Sequence, residues 1–380
     1  MTDAGVYIHI PFCRARCSYC DFATGTFEHA LAERYVCALV EELRGFAVRG
    51  AGADAVDTIY FGGGTPSLLA PAQLARILAA VHEKFRVREG AEVTMEMNPG
   101  TVTPETLRAF RAAGVNRASF GAQTFDDREL SRLGRTHTAD DVRRTLSDLR
   151  DAGFDNISFD LIAGLPEQTL AAWSRNMDEA LALRPQHLSL YLLEVHEGTP
   201  LAGQIRRGMW RAPDADAAAE MYTLLVERTH AAGYEQYEIS NFCLPGRESR
   251  HNMKYWTGEP YFGFGCSAHS YDGARTRWSN ERDTRLYVER IEAGAGAIVE
   301  TTELDNDDAS AEAIFLGLRL LGRGVNLAEH RARFQRDVRA THADDFRRFT
   351  EAGLIRLDGD TLRLTPSGAL LSNEVFAAFV

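Results

Sequence analysis

The stretch IPFCRARCSYCDF, residues 10–22, carries three cysteines at C-x3-C-x2-C spacing with no fourth nearby. It overlaps the end of VYIHI (6–10), a short run rich in β-branched and aromatic residues that reads as a strand. Five runs of the same kind follow: DTIYFGG (57–63), EVTMEMN (92–98), RASFG (117–121), NISFDLI (156–162) and HLSLYLLEV (187–195). Helical patterns occupy 28–45, 72–85, 104–113, 139–152 and 167–183 between them. This alternation predicts parallel β/α units with both sheet faces covered. Six strands by residue 195 point to a partial or complete barrel, with a doubly wound sheet as the competing layout.

The unusual residues fall at or just past the C-terminal ends of these strands. They are residues 13–20, 62–65 and 96–100, with Gln123 and Asp160. In parallel β/α folds that rim carries ligands and chemistry. Each residue alone is explained by a turn or a cap, as with Asn98-Pro99-Gly100. Five such coincidences at one rim point to a site.

A closed zinc site needs four ligands, so the three cysteines would need a distant fourth, with His9 a possible candidate. A [4Fe–4S] cluster can instead sit on three thiolates and keep one iron open, and that iron can bind the amino and carboxylate groups of S-adenosylmethionine. Gly62, Gly63 and Gly64 would let backbone approach a small zwitterion closely. Asp160 suits a ribose diol, Arg135 suits a carboxylate, and Tyr19 suits an adenine face, with Glu96 and Gln123 as further polar contacts.

The formal charge of −12 argues against non-specific nucleic-acid binding, which depends on phosphate neutralisation by Lys and Arg. No apolar run is long enough to cross a bilayer, and MTDAGVYIHIPF has no basic segment before a hydrophobic one. A cytoplasmic protein is expected, reaching a membrane only peripherally through a partner. Six cysteines do not make a disulfide scaffold. Cys37 lies in a helical pattern and reads as a small buried hydrophobe; Cys243 and Cys266 read as structural. After residue 200 the rhythm changes. A helix near 214–232 precedes the aromatic, Gly-rich stretch 241–273, and helical runs at 308–321, 327–335 and 342–352 lead to a hairpin about Asp358-Gly359 and a last helix at 367–379.

CRARCSYC (13–20) has the radical S-adenosylmethionine signature, and the chain resembles the HemN/HemW branch of that superfamily. The matching pieces, in family order, are YIHIPFC, CDF, YFGGGTPS, EMNPG, SFGAQTF, LGRTH and FDLIAGLP, then the C-terminal unit. The resemblance implies an α/β fold: a partial (β/α)6 TIM-like barrel with a C-terminal winged-helix-like domain. The expected organisation is a barrel over 1–240, a connecting segment over 241–304 and the C-terminal domain over 305–380. It also implies a [4Fe–4S] cluster on Cys13, Cys17 and Cys20, and S-adenosylmethionine held by Tyr7, Gly63, Gly64, Thr65, Glu96, Gln123, Arg135 and Asp160.

Two activities follow from the resemblance. One is oxygen-independent coproporphyrinogen III dehydrogenase; the other is a heme chaperone, and an uncharacterised tetrapyrrole-modifying enzyme is a third class. Three departures favour the chaperone. Only twelve residues precede Cys13, where the enzymes carry an extended arm; Cys20-Asp21-Phe22 lacks the enzymes' further cysteine; and RHNMKYW (250–256) matches a chaperone-branch H-N-x-x-Y-W segment. His251 is the candidate heme ligand, with Tyr255 and Trp256 against the porphyrin; Cys243, Cys266, His269 and Tyr271 are weaker alternatives. The expected partners are heme as cargo, heme-dependent recipient proteins including membrane-associated respiratory enzymes, and a second copy of the chain, but not nucleic acid.

Overall fold

Alternate residues of a strand face opposite ways, and in β1 (Ala4–Ile10) this sorts Val6, Ile8 and Ile10 from Tyr7 and His9. In the computed structural model, which describes residues 2–47 and 54–379, the apolar set joins one buried cluster with Leu39 and Leu43 of α1 (His29–Gly45) and Ile77 and Val81 of α2 (Pro71–Lys84). Burying each such side chain stabilises the fold by roughly 1.5–3 kcal/mol. The same sorting recurs in β2 (Ala55–Gly63), β3 (Arg86–Met97), β4 (Arg117–Gln123), β5 (Ile157–Ala163) and β6 (His187–Leu192). Helices α3 (Pro104–Ala112), α4 (Ala139–Asp151) and α5 (Leu170–Leu183) connect β3 through β6. All five pairings from β1 to β6 are parallel, giving the expected six β/α units.

The other sheet face is polar. Tyr7 stacks on Tyr60 with ring centroids 6.1 Å apart, Tyr60 donates to Glu96 at 2.8 Å, and Ser158 and His187 share a 2.7 Å hydrogen bond. This face lines the barrel interior, and its polar groups pair with one another because water is scarce there.

Residues 241–304 do not form a separate connector. After α6 (Ala215–Ala231), strands β7 (Glu235–Glu238) and β8 (Asn241–Cys243) extend the β6 edge. Helix α7 (Arg250–Thr257) follows. Strand β9 (Tyr261–Phe264) then returns to pair parallel with β1, and β10 (His269–Tyr271), β11 (Thr276–Asn280) and β12 (Ile298–Glu303) continue outward. The sheet therefore has twelve strands, in the order β12-β11-β10-β9-β1-β2-β3-β4-β5-β6-β8-β7. Helix α8 (Thr284–Glu292) links β11 to β12.

The C-terminal region begins with α9 (Asn306–Leu318) and builds its own core from Leu318, Phe346, Phe349, Leu362 and Phe376. The expected hairpin forms between Ile355–Asp358 and Thr361–Leu364, but the last helix is split into Pro366–Leu370 and Ser372–Phe376. Arg319, just after α9, pairs with the fully buried Glu238 of β7 and lies 4.4 Å over the Trp256 ring, tying this region to the barrel.

Glu42 of α1 performs a similar tie elsewhere. Its carboxyl accepts from Gly265 N at 2.8 Å, Asn280 Nδ2 at 2.6 Å and the Tyr287 hydroxyl at 2.6 Å. Burial pushes it up from the ordinary 4.5 to about 7. The folded state then binds more protons than the unfolded state between those values, so stability falls as pH rises through the window. Glu42→Gln is expected to lower stability overall yet remove about 3 kcal/mol of that decline, read from urea melts at several pH values. An unchanged slope would show that Glu42 folds ionised.

Candidate functional site

The cysteine loop leaves β1 and is closed at its base by parallel pairing of Phe12 with Gly25 and Cys13 with Thr26. It is pinned across the barrel top by Ser18 N to Leu133 O at 2.9 Å and Leu201 N to Ser18 O at 2.8 Å. Cys13, Cys17 and Cys20 are free and half-buried. A continuous relay runs around them. The Thr65 hydroxyl donates to Cys13 Sγ at 3.7 Å, Asn98 Nδ2 to Thr65 Oγ1 at 2.8 Å, Arg135 Nη1 to Asn98 Oδ1 at 2.8 Å, and Arg135 Nη2 to the Tyr19 hydroxyl at 2.6 Å. Asn98 lies in the 96–100 stretch expected at the rim, but sequence reasoning gave it no individual contact.

The rest of the rim meets the same centre. Glu96 accepts from Gly63 N at 3.1 Å as well as from Tyr60, and burial raises its carboxyl to about 7. Asp160 is also raised, chiefly by burial, and accepts from Ser119 at 3.5 Å. Gln123 ends β4 with φ 65° at a register shift, a left-handed conformation that non-glycine residues adopt at a cost of about 1–3 kcal/mol and that clusters at working sites. Its amide lies over Gly121, where an added Cβ would meet Gln123 Nε2 at 2.3 Å and Arg135 Nη2 at 3.0 Å. Tyr7 and His9 share a face as expected: the Tyr7 hydroxyl and His9 Nδ1 are 3.1 Å apart, and His9 Nε2 is bonded to Ala23 O at 3.0 Å.

Comparison with known proteins gives these contacts a setting. The radical SAM superfamily pattern matches residues 7–180 and the HemN C-terminal domain pattern matches 304–371. The heme chaperone HemW of Bacillus subtilis is 36% identical over 375 residues, covering 98% of both chains. HemW of Mycobacterium tuberculosis is 38% identical over 374 residues, covering 98% of this chain and 93% of its own. The chain belongs to the HemN/HemW branch of the radical SAM superfamily. The solved coproporphyrinogen III oxidase HemN from Escherichia coli shares the fold, with a TM-score of 0.86 at 23% identity over 99% of this chain and 89% of that one.

Membership in the radical SAM superfamily implies a [4Fe–4S] cluster and S-adenosylmethionine, and the site's own features fit them. Gly64 admits no side chain: a Cβ there would lie 2.7 Å from Phe12 O and 3.0 Å from Cys13 Sγ. The buried Arg135 Nε–H has no partner among the described residues. Three half-buried thiols on one loop, with Cys13 against Gly64 and an unused guanidinium N–H on Arg135, suit a thiolate-bound cluster and an anionic group. Among the described residues no three His, Cys, Asp or Glu side chains converge closely enough for a single ion. A cubane spreads its thiolates over separate irons, whereas zinc requires them at one point, and His9 already uses both ring nitrogens. A closed zinc site needs four ligands, and neither the three cysteines nor His9, whose ring nitrogens are both engaged, supplies the fourth. Because the Gly64 contact is with backbone, Gly64→Ala is expected to displace the cysteine loop; iron retained per chain after anaerobic reconstitution should fall several-fold, and wild-type retention would show that the wall is soft.

Two expectations in this HemN/HemW chain need correction. His251 offers no free nitrogen to heme. It is wholly buried, Nδ1 is 2.9 Å from the Thr58 hydroxyl, Nε2 is 2.9 Å from the Tyr255 hydroxyl, and burial lowers the ring to about 3. It lies inside the barrel because α7 docks its N-terminus on Glu92, which accepts from His251 N at 3.2 Å. Cys37 is exposed, because it falls off the α1 stripe of Leu31, Tyr35, Leu39 and Leu43; it accepts from Arg76 Nη2 at 3.0 Å. Cys243 and Cys266 are buried, as structural residues would be. No helix among the described residues is long and apolar enough to cross a membrane.

Proposed function

We propose that this protein is a heme chaperone, binding heme and passing it to heme-dependent proteins, respiratory enzymes among them. The observation that carries this reading is the 36–38% identity to heme chaperones HemW over nearly the whole chain. The unbroken Cys20-Asp21-Phe22 supports it against the dehydrogenase.

In this reading Cys13, Cys17 and Cys20 hold the cluster, and Tyr7, Gly63, Gly64, Thr65, Glu96, Gln123, Arg135 and Asp160 hold S-adenosylmethionine. When bound, such a cluster supplies an open iron and one electron to the sulfonium. The chain's own residues bind and orient. Asp160 accepts from a diol, Arg135 directs its spare N–H to a carboxylate, and Glu96 holds the Gly63 backbone in place. The bound pair serves as a structural or gating element for heme transfer.

The test uses anaerobically reconstituted protein with S-adenosylmethionine and a strong reductant, given heme or coproporphyrinogen III in parallel. Stable heme absorbance without decarboxylation is expected. Decarboxylation of coproporphyrinogen III would replace the chaperone with the dehydrogenase, and deoxyadenosine release with heme present would make heme a substrate rather than cargo.

A further inference from the structure

Beside the cysteine loop lies a cavity of about 610 Å3, within the range of sites that enclose an organic ligand. Its walls are the loop and its return strand, the first turn of α1 and the start of α8. Phe22, Phe27 and Leu31 supply apolar surface, and Phe22 is 63% exposed on the loop itself. Arg16, Arg282 and Arg285 supply positive charge, and Glu28 and Asp283 also line the space. The two acids are already engaged. Glu28 pairs with Arg285 at 2.6 Å, and Asp283 caps α8 by accepting from Arg285 N and Leu286 N at 2.9 Å each. Among the described residues neither Arg16 nor Arg282 meets a carboxylate; Arg16 donates only to Cys20 O, at 3.3 Å.

Two guanidinium groups without carboxylates beside an exposed aromatic ring match a planar, apolar ligand bearing two carboxylates. We propose that this cavity is the cargo site, with heme seated against Phe22 and its propionates on Arg16 and Arg282. The proposal rests on the chaperone reading, and supplies the binding place that the buried His251 does not. Among the described residues no imidazole, thiol or thioether lines the cavity, so ring and carboxylates are recognised rather than iron. Cargo placed here touches the cysteine loop directly, through Phe22 and Arg16, which is how loading of that loop would alter heme retention.

The experiment titrates heme into the reconstituted full-length protein by Soret absorbance, with metal-free protoporphyrin IX as competitor. Arg282→Glu lies outside the cysteine loop. Gly25→Phe adds a ring to the cavity wall at a position where an added Cβ meets nothing within 4 Å, and circular dichroism checks that it folds. Each is expected to weaken heme at least about tenfold while Arg356→Glu in the C-terminal hairpin does not. Metal-free protoporphyrin should compete with heme, and the propionate dimethyl ester should bind wild type and Arg282→Glu alike. If wild type binds heme and both variants bind it within about twofold, the cavity is not the cargo site and the chaperone reading stands. If wild type binds no heme, both fall.

Discussion

Cys17→Ser is expected to leave a folded protein that retains no cluster after reconstitution and delivers no heme. The loop has backbone anchors of its own: pairing at Phe12 and Cys13 closes its base, and Ser18 is pinned to Leu133 and Leu201. Circular dichroism and melting should therefore be near wild type. A cluster held by two thiolates rather than three is lost because each thiolate anchors a different iron. S-adenosylmethionine should weaken at least about tenfold, since the open iron is one of its anchors. Iron and sulfide analysis reads the first effect and equilibrium dialysis the second. Full heme delivery by a cluster-free variant would remove the gating role and leave the cluster site a relic of the fold.

Arg319→Met is expected to cost about 3–5 kcal/mol of stability, the largest single effect predicted outside the cysteine site. Glu238 is completely buried and accepts from Arg319, from Asn241 Nδ2 at 2.7 Å and from Ser240 N at 3.0 Å. Removing the guanidinium strands a carboxylate among neutral donors, and also strips the cation from the Trp256 face. The double variant Arg319→Met, Glu238→Gln should recover most of the loss, because the unpaired charge is gone. Chemical denaturation of the three variants measures this. A single-variant cost under about 1 kcal/mol would mean the pair behaves as an exposed bridge.

The parallel β/α frame was legible because short-range patterns carry it. Helices expected at 28–45 and 104–113 appear at His29–Gly45 and Pro104–Ala112, the latter started by Pro104 and capped by Thr103. The rim residues were legible for the same reason, as each follows a strand end. What escaped were features fixed by distant partners. Strand β9 is four residues long, and it is set in the sheet by pairing with the distant β1 on one side and with β10 on the other. His251 read as a ligand because imidazole suits iron and its segment matches the H-N-x-x-Y-W pattern, whereas its orientation is set by Glu92 and Thr58 on other strands. Cys37 failed on a finer scale: its helix was placed correctly, but the residue falls off the buried stripe of that helix.

The position of β1 has a consequence for the order of assembly during synthesis. One neighbour, β2, is complete once residue 63 has emerged, but the other, β9, ends at residue 264. Closing that chain-long gap is costly in entropy and occurs late, as in folds of high contact order. The nascent chain therefore carries its cysteine loop on a half-flanked strand for most of translation.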